Sequence, residues 1–338
     1  WLARLPVGLD DVQNLRANWM LFTPTWTYQR QAPPDFEPVP GSDPTWPELL
    51  QDVQLSRERG LQVALFPTPR FAINIDQWWQ TAPRDQVWWE QWFETYRAFL
   101  LHHASLATHS GAQALVLGGD WIKPALPGGT LTDGSSSGVP ADAEIRWRNL
   151  LAEVRNYFSG TILWAMDYKD IQNPPAFVDA VDQLYLLISA PLASAAGAGQ
   201  ASLDLEATRI LDEEIWPSQI LLEKPVILGL YYPSAAGSLS GCIPDGQSNC
   251  VDPQRLAPPN LDIPAVQLDL QAQVSAYSAF LTAVNDRSWV SGLVSRGYYP
   301  PAVLLDKSAS LHGKPASEVL RYWFAELLGA PLTQAVDY

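Results

Sequence analysis

The sequence predicts an α/β fold, specifically a (β/α)8 TIM barrel. Short apolar or β-branched runs alternate with longer amphipathic stretches, which is the pattern of repeated βα units around a parallel sheet. Long loops rich in Pro, Gly and Ser follow several of the runs. The chain has 338 residues, 47% of them hydrophobic and 17% charged, enough to bury one large core. A single domain over residues 1–338 is the simplest organisation, and no internal repeat or low-complexity segment interrupts it.

Seven strands are predicted, at Asn18 to Thr23, Leu61 to Pro67, Ala114 to Gly119, Thr161 to Met166, Gln183 to Ser189, Pro225 to Tyr231 and Trp289 to Ser295. Apolar spacing predicts helices over Val87 to Thr108, Ala143 to Phe158, Leu203 to Ile215, Ile263 to Asp286 and Pro315 to Leu328. The count is one strand short of a barrel. Leu9 to Ala17 reads as a capped helix feeding Asn18, so the missing strand should precede it. Trp1 to Val7 is a poor barrel strand. The expectation is therefore a first strand that is missing upstream, or a barrel closed in an atypical way. Loops at 29–45, 122–141, 192–202 and 233–264 follow strand C-termini, the face on which barrel enzymes build their sites.

With 21 basic against 36 acidic side chains the net charge is -15, which repels phosphate backbones and anionic membranes and argues against nucleic acid as a partner. No apolar run approaches the roughly 20 residues of a membrane span. The first residues lack the features of a signal peptide, so any export signal is expected to have been removed. Both cysteines lie in one turn-rich loop, and a Cys242–Cys250 disulfide is expected; the alternative is two reduced thiols in a cytosolic loop. The bridge, the 15 tryptophans and the scarcity of lysine fit an extracellular or cell-surface protein that handles sugars.

Three segments then carry a family resemblance. Ala17-Asn-Trp-Met-Leu-Phe-Thr-Pro-Thr-Trp26 resembles the second strand of family 113 glycoside hydrolases and their clan A relatives. Phe93 to Ala107 followed by Gly111 to Asp120 resembles the helix and fourth strand of that family. Asp306 to Leu320, with a Gly313-Lys-Pro-Ala316 turn opening the last helix, resembles its terminal segment. The resemblance covers most of the chain in order. It implies a glycoside-hydrolase-like TIM barrel, with a glutamate acid/base ending strand four and a glutamate nucleophile ending strand seven. Neither glutamate is present. The fourth strand ends in Gly118-Gly-Asp-Trp121, with Asp120 in the acid/base place and Gly119 where an asparagine usually precedes it. The seventh reads Lys224 to Tyr232 without a carboxylate.

Glycoside hydrolysis usually needs two carboxyl groups flanking the bond, about 5 Å apart for retention and farther for inversion. Asp120, ending strand four, and Asp167, ending strand five, form the one obvious pair. This arrangement resembles that of several α-glycoside-cleaving barrels and slightly favours an α-linkage. Asp120 would be the nucleophile or charge stabiliser, and Asp167 the proton donor with a pKa raised by burial. The bland alternative is that these aspartates cap turns or pair with Lys123, Lys169 or Arg70. Asp170 and Asp306 are candidates for orienting substrate, and Asp76 could reach the pocket from a loop.

Trp26, Trp121, Tyr168, Tyr231, Tyr232 and Tyr298 are read as strand-end rings able to stack on sugars, with Arg70 and Arg296 orienting carboxylates or binding an acidic sugar. The Trp78-Trp79 and Trp88-Trp89 pairs read as packing residues. The four histidines lack metal-ligand spacing, so no metal is expected, and no triad elbow, phosphate loop or dinucleotide fingerprint implies a cofactor. Two functions follow. One is a secreted glycosidase acting on an extracellular polysaccharide or glycoside through Asp120 and Asp167. The other is a catalytically inactive carbohydrate-binding or structural cell-surface barrel. The sequence leaves monomer, homo-oligomer and filament open.

Overall fold

A computed structural model describes residues 4–194, 197–257, 262–303 and 305–329. In chain order the elements are α1 (Leu5–Asn14), β1 (Trp19–Phe22), β2 (Thr25–Arg30), β3 (Asp35–Glu37), α2 (Trp46–Glu58), β4 (Gln62–Leu65), β5 (Thr68–Phe71), α3 (Ile75–Thr81), α4 (Gln86–Ser110), β6 (Ala114–Gly118), α5 (Ala143–Tyr157), β7 (Thr161–Asp167) and β8 (Gln183–Ile188). There follow α6 (Gln200–Arg209), α7 (Trp216–Leu222), β9 (Val226–Leu230), β10 (Ile243–Pro244), β11 (Cys250–Val251), α8 (Leu270–Asn285), β12 (Val290–Ser295) and α9 (Ala316–Leu327). The chain forms two compact units, Trp19–Tyr185 and the segments Trp1–Asn18 with Leu186–Tyr338, the division falling inside β8.

In the first unit, hydrogen-bonded neighbours run β1-β4-β6-β7, all parallel. Every residue of β6 is buried, as expected of a parallel strand covered on both faces. The main helix there is α4. Asp85 caps its start by accepting the Trp88 N–H at 2.8 Å, and Gly111 ends it at φ 71°, a left-handed position suited to glycine. Trp88, Trp89, Trp92, Tyr96, Phe99 and His103 fall at helical spacing on its buried face. Trp92 stacks on Tyr96 at 4.9 Å, and Trp147 of α5 meets Trp164 of β7 at 5.5 Å. Each such side chain contributes about 1.5–3 kcal/mol by burial. Trp78 and Trp79 are buried with them, as their reading as packing residues requires.

A second sheet of the same unit, in the order β3-β2-β5, is absent from the sequence reading. It occupies part of the predicted 29–45 loop. The edge strand β5 contains Pro69, tolerable because an edge strand leaves one row of N–H groups unused. Helix α2 was also unanticipated. Its signal is Thr45-Trp-Pro-Glu48, a capping box in which the Thr45 N–H donates to Glu48 Oε2 at 2.7 Å. Asp76 lies in the first turn of α3 and not in a loop.

In the second unit, β9 pairs with β12 in parallel, and Tyr231 N donates to Ile188 O at the end of β8. The predicted helix from Ile263 starts at Leu270, because Asp269 accepts the Ala272 N–H at 2.9 Å and caps it there. The predicted helix Leu203 to Ile215 begins at Gln200, passes into a π-helical turn over Ile210–Ile215 and continues as α7. Cys242 and Cys250 are bridged, closing the β10–β11 hairpin. Beneath it Ala235, Ile243, Val251 and Val266 form a small core of their own. The chain is helical from Leu5, so Trp1 to Val7 supplies no complete strand, and residues 1–3 lie outside the described part. Among the described residues the main sheet has seven strands.

Candidate active site

The strongest chemistry lies in the first unit, where β6 and β7 end side by side. Their register pairs Ala114 with Thr161 through Gly118 with Ala165, and Gly119 N extends the ladder to Ala165 O at 2.9 Å. Asp120 follows the two glycines past the end of β6 and Asp167 ends β7, near enough for the two carboxylates to act on each other. Asp120 is exposed, opening a 3-10 turn over Asp120–Ala125, and has no ion pair among the described residues. Asp167 is partly buried. Its Oδ1 accepts the Lys169 N–H at 3.0 Å and caps the turn Tyr168–Gln172.

These surroundings move the Asp167 pKa upward. Burial is the main cause, and the negative charges of Asp170 and Asp120 add to it, against the Lys169 N–H and the Lys123 charge. Lys123 Nζ lies 2.8 Å from Asp170 Oδ2, so the nearby cation is paired with the outer aspartate and offsets only part of the upward shift at Asp167. Trp121 lies beside them, its ring 5.4 Å from Phe66 and its carbonyl accepting Trp79 Nε1–H at 2.8 Å. Tyr168 is buried, with Lys169 Nζ 5.6 Å from its ring centre, so it offers no open stacking face.

Two other residues read as strand-end ligands lie in the second sheet of this unit. Trp26, on β2, packs its ring against Phe99 and His102 of α4 at 5.6 and 4.9 Å, and does not end a strand of the main sheet. Arg70, on β5, donates to Ser42 O at 3.0 Å and lies 3.6 Å from buried Asp43. It holds a turn, since Asp43 also accepts the Thr27 hydroxyl at 2.8 Å.

The second unit has its own polar cluster. Tyr231 follows β9, with the Arg296 guanidinium 5.4 Å from its ring centre and its hydroxyl donating to Pro253 O at 3.3 Å. Burial pushes its pKa up to about 12, so it is a poor nucleophile. Tyr232 is fully buried, its hydroxyl on Ala190 O at 2.7 Å and its ring against Phe280. Tyr298 donates to Asp11 Oδ2 at 2.9 Å, stacks on His312 and anchors α1. The sequence reading of Tyr232 and Tyr298 as sugar platforms is therefore corrected: satisfied hydroxyls and packed rings make them structural. Lys314, missed in the sequence, is fully buried. It donates to Ser234 Oγ at 2.8 Å and Ser308 O at 2.9 Å, with Asp306 at 3.4 Å. Its signal was the lysine of the Gly313-Lys-Pro-Ala316 turn.

The sequence model of Glycoside Hydrolase Family 113 matches residues 7–207. The chain belongs to glycoside hydrolase family 113. A GH113 β-mannanase from Alicyclobacillus acidocaldarius superposes with a TM-score of 0.68 at 18% identity, covering 96% of this chain and 92% of the other. A GH113 β-1,4-mannanase gives 0.68 at 19% identity over 95% and 93%. A β-glucuronidase from Ruminococcus gnavus gives 0.57 at 10% identity, over 96% of this chain and 47% of its own. No curated protein sequence matches. The fold is thus the α/β TIM barrel that the strand and helix pattern implies.

For this family 113 chain, Gly119 has a physical reason. Its φ of 127° and ψ of 164° belong to glycine almost alone, and a Cβ there would lie 2.3 Å from the Trp121 ring. The asparagine that the family resemblance implies at this place does not fit beneath that indole. Among the described residues no cluster of three or more His, Cys, Asp and Glu could hold a metal, and no helix is long and apolar enough to cross a membrane.

Proposed function

We propose that this protein is a glycosidase whose carboxyl pair is Asp120 and Asp167. The observation that carries the reading is the unequal environment of the two. Asp167 is desolvated, with its proton held more tightly than usual, while Asp120 stands exposed in the turn just past the neighbouring strand. A carboxyl whose proton is held by burial is suited to the acid role. Asp167 delivers its proton to the leaving glycosidic oxygen. Asp120 stabilises the positive charge developing at the anomeric carbon, to which water then adds. Trp121 borders the pair.

Family membership supports a glycan substrate, and the β-mannanase structures make β-1,4-mannan the first polysaccharide to test, ahead of the α-linked glycans favoured by the sequence. The Cys242–Cys250 bridge supports a location outside the reducing cytosol. The experiment is hydrolysis of β-1,4-mannan and a panel of plant, algal and bacterial polysaccharides, with products read by mass spectrometry. Activity lost in both Asp120→Asn and Asp167→Asn supports the pair. An inactive carbohydrate-binding barrel is favoured by one feature, the end of β9, where Tyr231 carries no acid and its hydroxyl is tied to Pro253. No turnover on any glycan, with binding equal in wild type and variants, would establish that reading instead.

A further inference from the structure

Displacing Trp26 from the main strand ends gives it a different surrounding. In the first unit, β2, β3 and α4 frame a surface cleft of about 450 Å³, within the range of small-ligand sites. Neither Asp120 nor Asp167 lines it. Its aromatic wall is the half-buried Trp26 indole, beside His102. The opposite rim carries Arg30, Asp35 and Glu37. Arg30 and Asp35 lie 3.4 Å apart with much of the guanidinium exposed, so donors and acceptors stand together at the edge.

The floor is rigid. Phe36 stacks on Tyr28 at 4.0 Å and meets Phe99 at 4.7 Å, so the alternation that buries Phe36 on β3 turns Asp35 and Glu37 the other way, and Arg30, past an irregularity in the β2–β3 pairing, reaches Asp35. Burial lowers the His102 pKa, keeping its ring neutral at pH 7. Among the described residues neither ring nitrogen of His102 has a hydrogen-bond partner. The wall is thus an indole and an uncharged imidazole, and the rim mixes one guanidinium with two carboxylates.

We propose that this cleft is an accessory binding site for a neutral saccharide chain, in which the Trp26 ring stacks on a pyranose and Arg30, Asp35 and Glu37 bind its hydroxyls. A pyranose presents an apolar C–H face bounded by vicinal hydroxyls that both donate and accept. An aromatic wall with a mixed rim matches both features. The site would hold a polymer on the protein independently of bond cleavage at the strand ends.

The test uses the full chain carrying Asp120→Asn and Asp167→Asn, so that turnover plays no part and the outcome is separate from that of the catalytic assay. Mannohexaose, cellohexaose and laminarihexaose are titrated by calorimetry into this parent and into two further variants. Trp26→Ala removes the stacking wall. Ala98→Arg places a long side chain into the cleft from an exposed position of α4, leaving the core intact. A binding event in the parent that weakens at least about tenfold in both variants, with unchanged melting of Ala98→Arg, is the expected result. Absence of binding by all three probes overturns the proposal. So do isotherms of both variants that superpose on the parent, and so does an effect confined to Trp26→Ala, which would reflect packing on Phe99.

Discussion

Replacing Lys314 with methionine tests how the loops after β9 and β12 are held. The side chain keeps its length and burial but loses the ammonium that meets Ser234, Ser308 and Asp306. The two neutral acceptors are left with other partners: Ser308 O still receives Ser234 N–H at 3.1 Å, and Ser234 Oγ donates to Asp306 O at 2.8 Å. The stranded group is the Asp306 carboxylate, which is 12% exposed and keeps only the Ser308 N–H and hydroxyl. Breaking a buried pair from one side costs about 3–5 kcal/mol, and the surviving bonds point to the lower end, about 3 kcal/mol. For a chain of 338 residues the unfolding entropy is about 0.7 kcal/mol/K, so Tm falls by about 4 °C. Adding Asp306→Asn removes the unpaired charge and should recover about 1–2 kcal/mol. Thermal unfolding followed by circular dichroism measures both. A Lys314→Met protein that melts with wild type, or a double variant that melts below the single one, would refute the reasoning.

Asp167→Asn should lower activity by at least about 100-fold while raising Tm at neutral pH. The sign follows from its raised pKa: the folded state binds the proton more tightly than the unfolded chain, so ionisation above the usual carboxylate range opposes folding and asparagine removes that penalty. Equal or lower Tm counts against a desolvated Asp167. Lys123→Met removes a nearby positive charge, so the alkaline limb of the pH–activity profile, set by Asp167 as acid, should move to higher pH; a shift downward contradicts the assignment. The Cys242–Cys250 bridge, with a separation of eight residues, restricts the unfolded chain by about 2.5 kcal/mol. A Cys242→Ser/Cys250→Ser protein should be cut sooner within residues 237–256 by a dilute protease, the rest of the chain staying intact.

The seven strands of the main sheet were legible because each is a short apolar run closed by turn formers, and their ends differ from the sequence reading by a residue or two. What escaped were elements whose signals are polar or interrupted. β2 reads Thr-Trp-Thr-Tyr-Gln-Arg and follows Pro24, β5 contains Pro69, and α2 announces itself only through its capping box. At the candidate site the sequence located both aspartates at neighbouring strand ends. It could not separate rings that face solvent from rings with satisfied hydroxyls, which is why Tyr232 and Tyr298 read as platforms. That distinction depends on Ala190 and Asp11, residues remote in the chain.

The contact between Gly119 and the Trp121 ring also bears on redesign of this strand end. A side chain at 119 meets two separate obstacles, the indole against its Cβ and a backbone conformation that glycine adopts almost alone. Trimming Trp121 removes the first and leaves the second. Installing an asparagine at 119 in the laboratory therefore takes a smaller residue at 121 together with a re-formed turn between β6 and Asp120.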